Sequence, residues 1–566
     1  MEKSACLKLL VTPMPVVAAL VLAMGCERVS QPSNGAVVQE MPEPQIDLSV
    51  DWSESQRSGW YSLMEELEIQ ELVADLSSHH QPSDYVVENV NVITMQDDTP
   101  LLNHAVVVSD GKILAIGPSA DVVVPDGAEV IDGGGRWLAP GLTDMHVHNL
   151  ESHSQHILNV VMGVTTVRDL DGFPFLLKMR DAAAENLLFA PRMFVSGTIL
   201  NGSDFGGYAR KIDTVEEARD AVREQAALGY DFIKTHNSLS AELFLAIVEE
   251  AHAQGMDAVG HIPVPVRVET AVSSGMRTFE HFKGYIVDSA LTISDEDYVA
   301  ATDGAEVWNT PTFTTYLNHL RGDDATRVLA NEEMMQYVPP AMLQRWKNHA
   351  AQDVDQVTVL RQNIYPMSRQ IFTELRTLDD AKFLAGTDSG SYELLVPGFV
   401  LHEELRIFQE LGMTPFEALE TATTNAAVAM RQDGEFGVIA PGAAADFVLL
   451  EQNPLENIEN LQEIEAVAMR GIWIDAAERD QILAQLKDAI ARSEARISTA
   501  GPVTASDFDD YMTRLAVLKD NGFVYRDHYL DYAASMYEYV GRPNDAERIH
   551  AMKTDSDFGF SWFRFE

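Results

Sequence analysis

Cysteine is almost missing from this sequence, which has only Cys6 and Cys26 in 566 residues. Basic side chains are scarce too, with 40 Lys and Arg against 87 Asp and Glu and a formal net charge of −47. Such a surface repels phosphate backbones and anionic lipid, so nucleic acid is excluded as a partner and solubility in salty surroundings is favoured. Long apolar runs are absent as well. The stretch Val16 to Met24 falls short of the roughly 20 residues that span a bilayer. Neither a G-x-S-x-G nucleophile elbow nor a G-x-x-x-x-G-K-[ST] phosphate loop occurs, and there is no internal repeat. What is present is an apolar share of 46% with 8% aromatics, enough to fill a large folded core.

The first 26 residues read as export machinery. Lys3 and Lys8 precede the apolar run, which ends in Leu22-Ala23-Met24-Gly25-Cys26. That ending resembles the bacterial lipobox, which implies cleavage after Gly25 and a diacylglycerol on the Cys26 thiol. An ordinary cleaved signal is the alternative. Cys6 would leave with the signal, so the mature chain would hold one cysteine and no disulfide, although an exported compartment permits one. Residues 27 to 50, rich in Pro, Gln, Ser and Glu, suit a flexible tether. The expectation is a cell-envelope or periplasmic protein that meets the membrane through its lipid alone.

Beyond the tether, residues 27–83 read as linker and then helix, with Leu63, Leu67, Leu72 and Leu76 at helical spacing. Short alternating strands fill 84–139, with an Asp110-Gly111 turn, and return over 434–477. The two β pieces suggest one small β-sandwich built from both flanks. Between them, 140–433 alternates apolar strands with amphipathic helices. The strands fall at Leu142–His148, Thr165–Asp169, Arg192–Gly197, Phe232–His236, Asp257–His261, Thr278–His281, Glu306–Pro311 and Phe383–Asp388. Eight such units give an α/β class chain with a (β/α)8 (TIM) barrel. A polar-helical segment from about 313 to 380 reads as an insertion over the catalytic face. Residues 478–566 regain helical periodicity and carry many aromatics. These pack a helical C-terminal extension, with a lid or a contact between copies of a homo-oligomer as the alternative.

In a strand, residues two apart share a face, so His146 and His148 present two imidazoles to one side. Lys234, His261, His281 and Asp388 each close an apolar strand, and barrel enzymes build their sites on that face. Lys234, His261 and His281 are separated by about one strand–helix unit each. Four histidines, a lysine and an aspartate in register at strand ends point to metal binding.

The stretch Pro140-Gly141-Leu142-Thr143-Asp144-Met145-His146-Val147-His148 resembles the opening of the amidohydrolase superfamily barrel. So do Ala385-Gly386-Thr387-Asp388, Leu401-His402-Glu403-Glu404-Leu405 through Thr423-Thr424-Asn425-Ala426-Ala427, and Gly442-Ala443-Ala444-Ala445-Asp446. The resemblance covers about residues 84 to 475. It implies two divalent ions, zinc foremost, with His146, His148 and Asp388 on the first and His261 and His281 on the second. Lys234 would bridge them as a carbamate, because an ammonium has no lone pair for a cation. The chemistry implied is cleavage of a C–N bond by water made nucleophilic between the ions, with Asp388 as the catalytic proton carrier.

Ile233-Lys234 and His281-Phe282 look most like the prolidase and imidazolonepropionase branch. The expected substrate is a small amide, namely a dipeptide or N-acyl amino acid. Imidazolone-type ring opening and a lipid-tethered, non-catalytic binding protein are the alternatives. A deaminase would usually carry a glutamate where Val264 stands. Candidate substrate contacts are Tyr208, Arg210, His236 and Tyr285, with Arg210 suited to a carboxylate. His153 and His156 are expected at the surface.

Overall fold

The computed structural model describes residues 54–148, 152–204, 209–287, 292–294, 297–318, 329–350, 360–390, 394–499, 505–520, 527–539 and 542–552. Cys26, the export segment, the tether and Tyr208 lie outside the described residues. Among the described residues no helix is long and apolar enough to cross a membrane.

The two flanking β segments, expected to form a sandwich, join edge to edge in a single eight-stranded sheet. The first flank supplies β1 (Tyr85–Val92), β2 (Leu101–Ser109), β3 (Lys112–Pro118), β4 (Glu129–Asp132) and β5 (Trp137–Pro140). Parallel strands follow: β6 (Leu142–Val147), β7 (Val164–Asp169), β8 (Arg192–Val195), β9 (Ile199–Asn201), β10 (Ala209–Lys211), β11 (Phe232–Thr235), β12 (Asp257–Gly260) and β13 (Thr278–Glu280). A hairpin of β14 (Ile286–Val287) and β15 (Thr292–Ile293) precedes β16 (Trp308–Thr310), and the second flank adds β17 (Phe447–Leu450), β18 (Ile464–Met469) and β19 (Ile472–Asp475). The flanking sheet runs β19-β18-β17-β5-β1-β2-β3, with β4 beside β1. Antiparallel pairing of β5 with β17 stitches the two ends together.

The central strands form two parallel sheets, β6-β7-β8 and β10-β9-β11-β12-β13-β16. An isolated parallel bridge from Ser196 to Phe232 connects them. β6 and β7 are buried along their whole length, as befits parallel strands covered on both faces. The intervening helices begin and end where their sequences say. Thr214 and Glu217 form a capping box at the start of Val215–Leu228, and Gly229 closes that helix at φ 83°.

The eighth expected strand, Phe383–Asp388, is bonded without being regular. Phe383 bridges Asn309 and Ser389 bridges Val147, both in parallel. Side chains replace part of its ladder, since Thr387 gives both its N–H and its hydroxyl to Asp144, at 3.0 and 2.6 Å. Gly386 sits too close to Thr310 and His146 for any side chain.

The helix Glu54–His79 serves two cores. Its first half buries Trp60, Leu63, Met64 and Leu67 against Phe508, Tyr511, Leu515 and Tyr537 of the C-terminal helices. Its second half sends Ile69, Val73 and Leu76 into the main core beside Ile482 and Leu486. Tyr511 and Tyr537 therefore pack the extension.

Candidate metal centre

The site starts from strand alternation. His146 and His148 leave β6 on one face, with their Nε2 atoms 3.3 Å apart. Asp388 approaches from the far segment, placing Oδ1 2.9 Å from His148 Nε2 and 3.5 Å from His146 Nε2. Lys234 Nζ, on β11, stands 3.3 Å from His146 Nε2. Ligands about 2.0–2.1 Å from one tetrahedral ion lie about 3.3 Å from each other, so the separations among His146, His148 and Asp388 are of the size that could hold a metal. His281 Nε2 lies 3.8 Å from Asp388 Oδ2. Ligand atoms of His146, His281 and Asp388 all fall within 4.8 Å of one another. The His261 ring stands edge-on to that of His281 at 5.0 Å, and His236 is tilted against His261 at 4.4 Å. All six expected ligands thus meet in one buried cluster.

Each histidine is aimed by what its other nitrogen touches. His146 Nδ1 meets Glu280 at 2.9 Å, His148 Nδ1 meets Asp171, His261 Nδ1 meets Asn237 at 2.8 Å, and His281 Nδ1 meets Thr312 at 2.6 Å. With every Nδ1 occupied, the Nε2 lone pairs are left for the centre, as outer partners of metal-binding imidazoles normally arrange. Glu280 is held in turn by Arg168 at 2.7 Å, and both are buried.

Three of the imidazoles are held in the neutral form that a cation needs, while His148 is not. Burial lowers His146 to about 4, with the Lys234 charge adding to it, and burial takes His261 and His281 well below their ordinary value. Burial would also lower His148, but Asp171 and Asp388 outweigh it and raise this imidazole to about 10. The Asp388 carboxyl stays far below its ordinary range, because His281, His146 and His148 overcome its burial. Lys234, 1% exposed, is lowered to about 8 by burial. Two of these residues take left-handed backbone, His281 at φ 61° and Asp388 at φ 59°, conformations rare outside glycine and concentrated at functional sites.

The expected substrate contacts fare differently. His236 joins the cluster. Arg210 does not, because Glu224 of the next helix pairs with it beside Pro174 and Tyr230. Tyr285 packs into an aromatic group with Phe282 and Tyr298 and has a core role. His153 and His156, expected at the surface, are fully buried, and Glu66 of the helix Glu54–His79 accepts from the His153 backbone at 3.0 Å. The 313–380 segment does approach the site. Tyr337, Met342 and Trp346 line a narrow cavity with Gln155 and Gly390, beside the His148 carbonyl.

The outer partners escaped the sequence reading. Arg168 and Glu280 carried a usable signal, charges inside buried apolar strands, which must be paired. Asn237 and Thr312 carried none.

Comparison with known proteins agrees with this geometry. The amidohydrolase family model matches residues 137–474. An ochratoxinase from Aspergillus niger is 25% identical over 464 residues, covering 66% of this chain and 82% of its own. An adenine deaminase from Clostridium botulinum is 23% identical over 403 residues, covering 68% of this chain and 57% of its own. A prolidase solved with N-methylphosphonate-L-proline superposes with a TM-score of 0.53 at 25% identity, covering 69% of this chain and all of its own (100%).

Proposed function

Since this chain belongs to the amidohydrolase family, metal-dependent hydrolases of C–N bonds on a TIM barrel of mixed α/β content, we propose that it is a two-metal amidase for dipeptides or N-acyl amino acids. The observation that carries this reading is the convergence of four imidazoles, all tied at Nδ1, on Asp388 and Lys234. His146, His148 and Asp388 would hold one ion and His261 and His281 the other, zinc being suited to this nitrogen-rich set. Closure of the barrel through Phe383–Ser389 and tethering through a lipid on Cys26 complete the proposal.

Lys234 has the chemistry to bridge the ions. With its pKa lowered to about 8 by burial, it has access to the neutral amine, whose lone pair attacks CO2 to give a carbamate and release one proton. When bound, the ions supply an acidified water and a polarised substrate carbonyl. Asp388, ionised and 2.9 Å from His148, would be the group placed to take a proton from the attacking water and hand it to the leaving nitrogen. His236, kept neutral chiefly by burial, offers ring nitrogens to the substrate beside His261. The prolidase solved with a phosphonate derivative of proline supports a substrate with an amino-acid portion.

Deamination, the activity named for the adenine deaminase relatives, fits less well. The position where a deaminase carries its glutamate is Val264, which is exposed and cannot carry a proton.

The test is turnover of a panel on metal-loaded protein: dipeptides, N-acyl amino acids, imidazolones and adenine. Hydrolysis of one of the first two classes is expected, lost on chelation and regained with zinc. Turnover of imidazolones or adenine alone moves the substrate class. No turnover on any member overturns the reading in favour of a binding protein.

A further inference from the structure

His281 is steered differently from the other ligands. One short helix, Phe313–Asn318, and the residue before it hold this ligand at two points. Thr312 meets its Nδ1 at 2.6 Å, and Tyr316 donates its hydroxyl to the His281 carbonyl at 3.2 Å. The same helix reaches the opposite side of the cage, where Thr315 donates to the Thr387 carbonyl at 3.0 Å, next to Asp388. Thr312 itself sits at φ 49°, a conformation disfavoured for a β-branched residue and therefore in need of support.

That support comes from Glu404, on the helix Phe399–Glu410. Its two carboxyl oxygens accept the backbone N–H groups of Phe313 and Thr314, each at 2.8 Å. Glu404 is completely buried (0% exposed), so these bonds offset the cost of removing a carboxyl group from water. They also satisfy two of the N–H groups that any helix leaves unpaired at its start. An apolar residue here would pack as well and would leave both N–H groups stranded.

We propose that Glu404 is a positioning residue of the metal centre, clamping the Phe313–Asn318 helix and through it setting His281 and the Thr387–Asp388 backbone. The proposal rests on the two-ion reading, because the ion expected to loosen is the one His281 holds. Glutamine is the informative replacement. Its shape is that of glutamate, but its NH2 cannot accept, and it would aim a donor at a backbone donor.

The experiment compares Glu404→Gln with Leu405→Ala, a cavity-forming change at a fully buried position of the same helix. The readouts are metal content, the rate at which ions pass to a chelator, and Tm. Glu404→Gln is expected to release one ion about 10–100-fold faster than the wild type, the range for outer partners of metal ligands. Leu405→Ala is expected to keep the wild-type rate at an equal or larger loss of Tm. Release at the wild-type rate in Glu404→Gln, or release that tracks Tm in both variants, overturns the proposal.

Hydrogen exchange on the wild-type protein needs no variant. Coupling is reciprocal, so stripping the ions is expected to speed exchange in 313–318. Unchanged exchange there also overturns the proposal. A wild-type chain that binds no metal overturns the two-ion reading together with this one, whereas two ions with unchanged release overturn this one alone.

Discussion

Lys234→Ala is expected to lower kcat at least about 10³-fold, well beyond the 10–100-fold loss typical when an outer partner of a metal ligand is removed. Lys234 is 1% exposed, and its Nζ stands 3.3 Å from His146 Nε2. A permanent ammonium in that position would repel the cations the surrounding imidazoles are aimed to bind, so the lysine must act through a neutral or anionic form. Alanine removes the bridge without filling the space, and that space gives the experiment its second arm. Acetate or propionate added to the Lys234→Ala protein is expected to restore part of the activity by supplying two carboxylate oxygens in place of the proposed carbamate. The same acids should leave the wild type unaffected. Activity untouched by the substitution would remove Lys234 from the mechanism.

Asp388→Asn is expected to lower kcat by about 10²–10⁴-fold, the usual contribution of a positioned proton carrier. The amide matches the carboxylate in size but cannot take a proton from water, so KM should move little. Asp388 is held ionised against its burial by His281, His146 and His148, and this keeps it available as an acceptor throughout the neutral range. Its loss also leaves His148 with Asp171 as its remaining carboxylate partner. Weaker metal retention should therefore accompany the fall in kcat, and chelator competition measures it. A kcat near that of the wild type would assign the proton transfer to another group.

Much of the centre was legible in the sequence because strand geometry is simple. His146-Val147-His148 needs only two-residue alternation to put both rings on one side, and Lys234, His261 and His281 each close a short apolar run. Glu404 stood within a recognised stretch, yet nothing in one dimension ties it to Phe313 and Thr314. Asn237 and Thr312 were equally silent, since one hydrogen bond to an imidazole leaves no pattern. Arg210 pairs with Glu224 of the following helix, a partner that one dimension does not reveal. His153 misled because its contact with Glu66 of the helix Glu54–His79 is a tertiary fact, and the burial of His156 is likewise invisible in one dimension. Periodicity showed that this helix and the C-terminal ones exist, but it cannot say that Trp60 meets Phe508 and Tyr537. The flanking strands were likewise found in the right places, while their pairing of β5 with β17 in one sheet depends on register between segments far apart in the chain.

Elemental analysis of the purified, metal-loaded chain bears most directly on whether these six side chains grip a pair of cations. About two divalent ions per chain are expected, falling when His146 or His281 is replaced by alanine. A chain that holds one ion or none, or that keeps its full complement without those imidazoles, would contradict the two-metal centre.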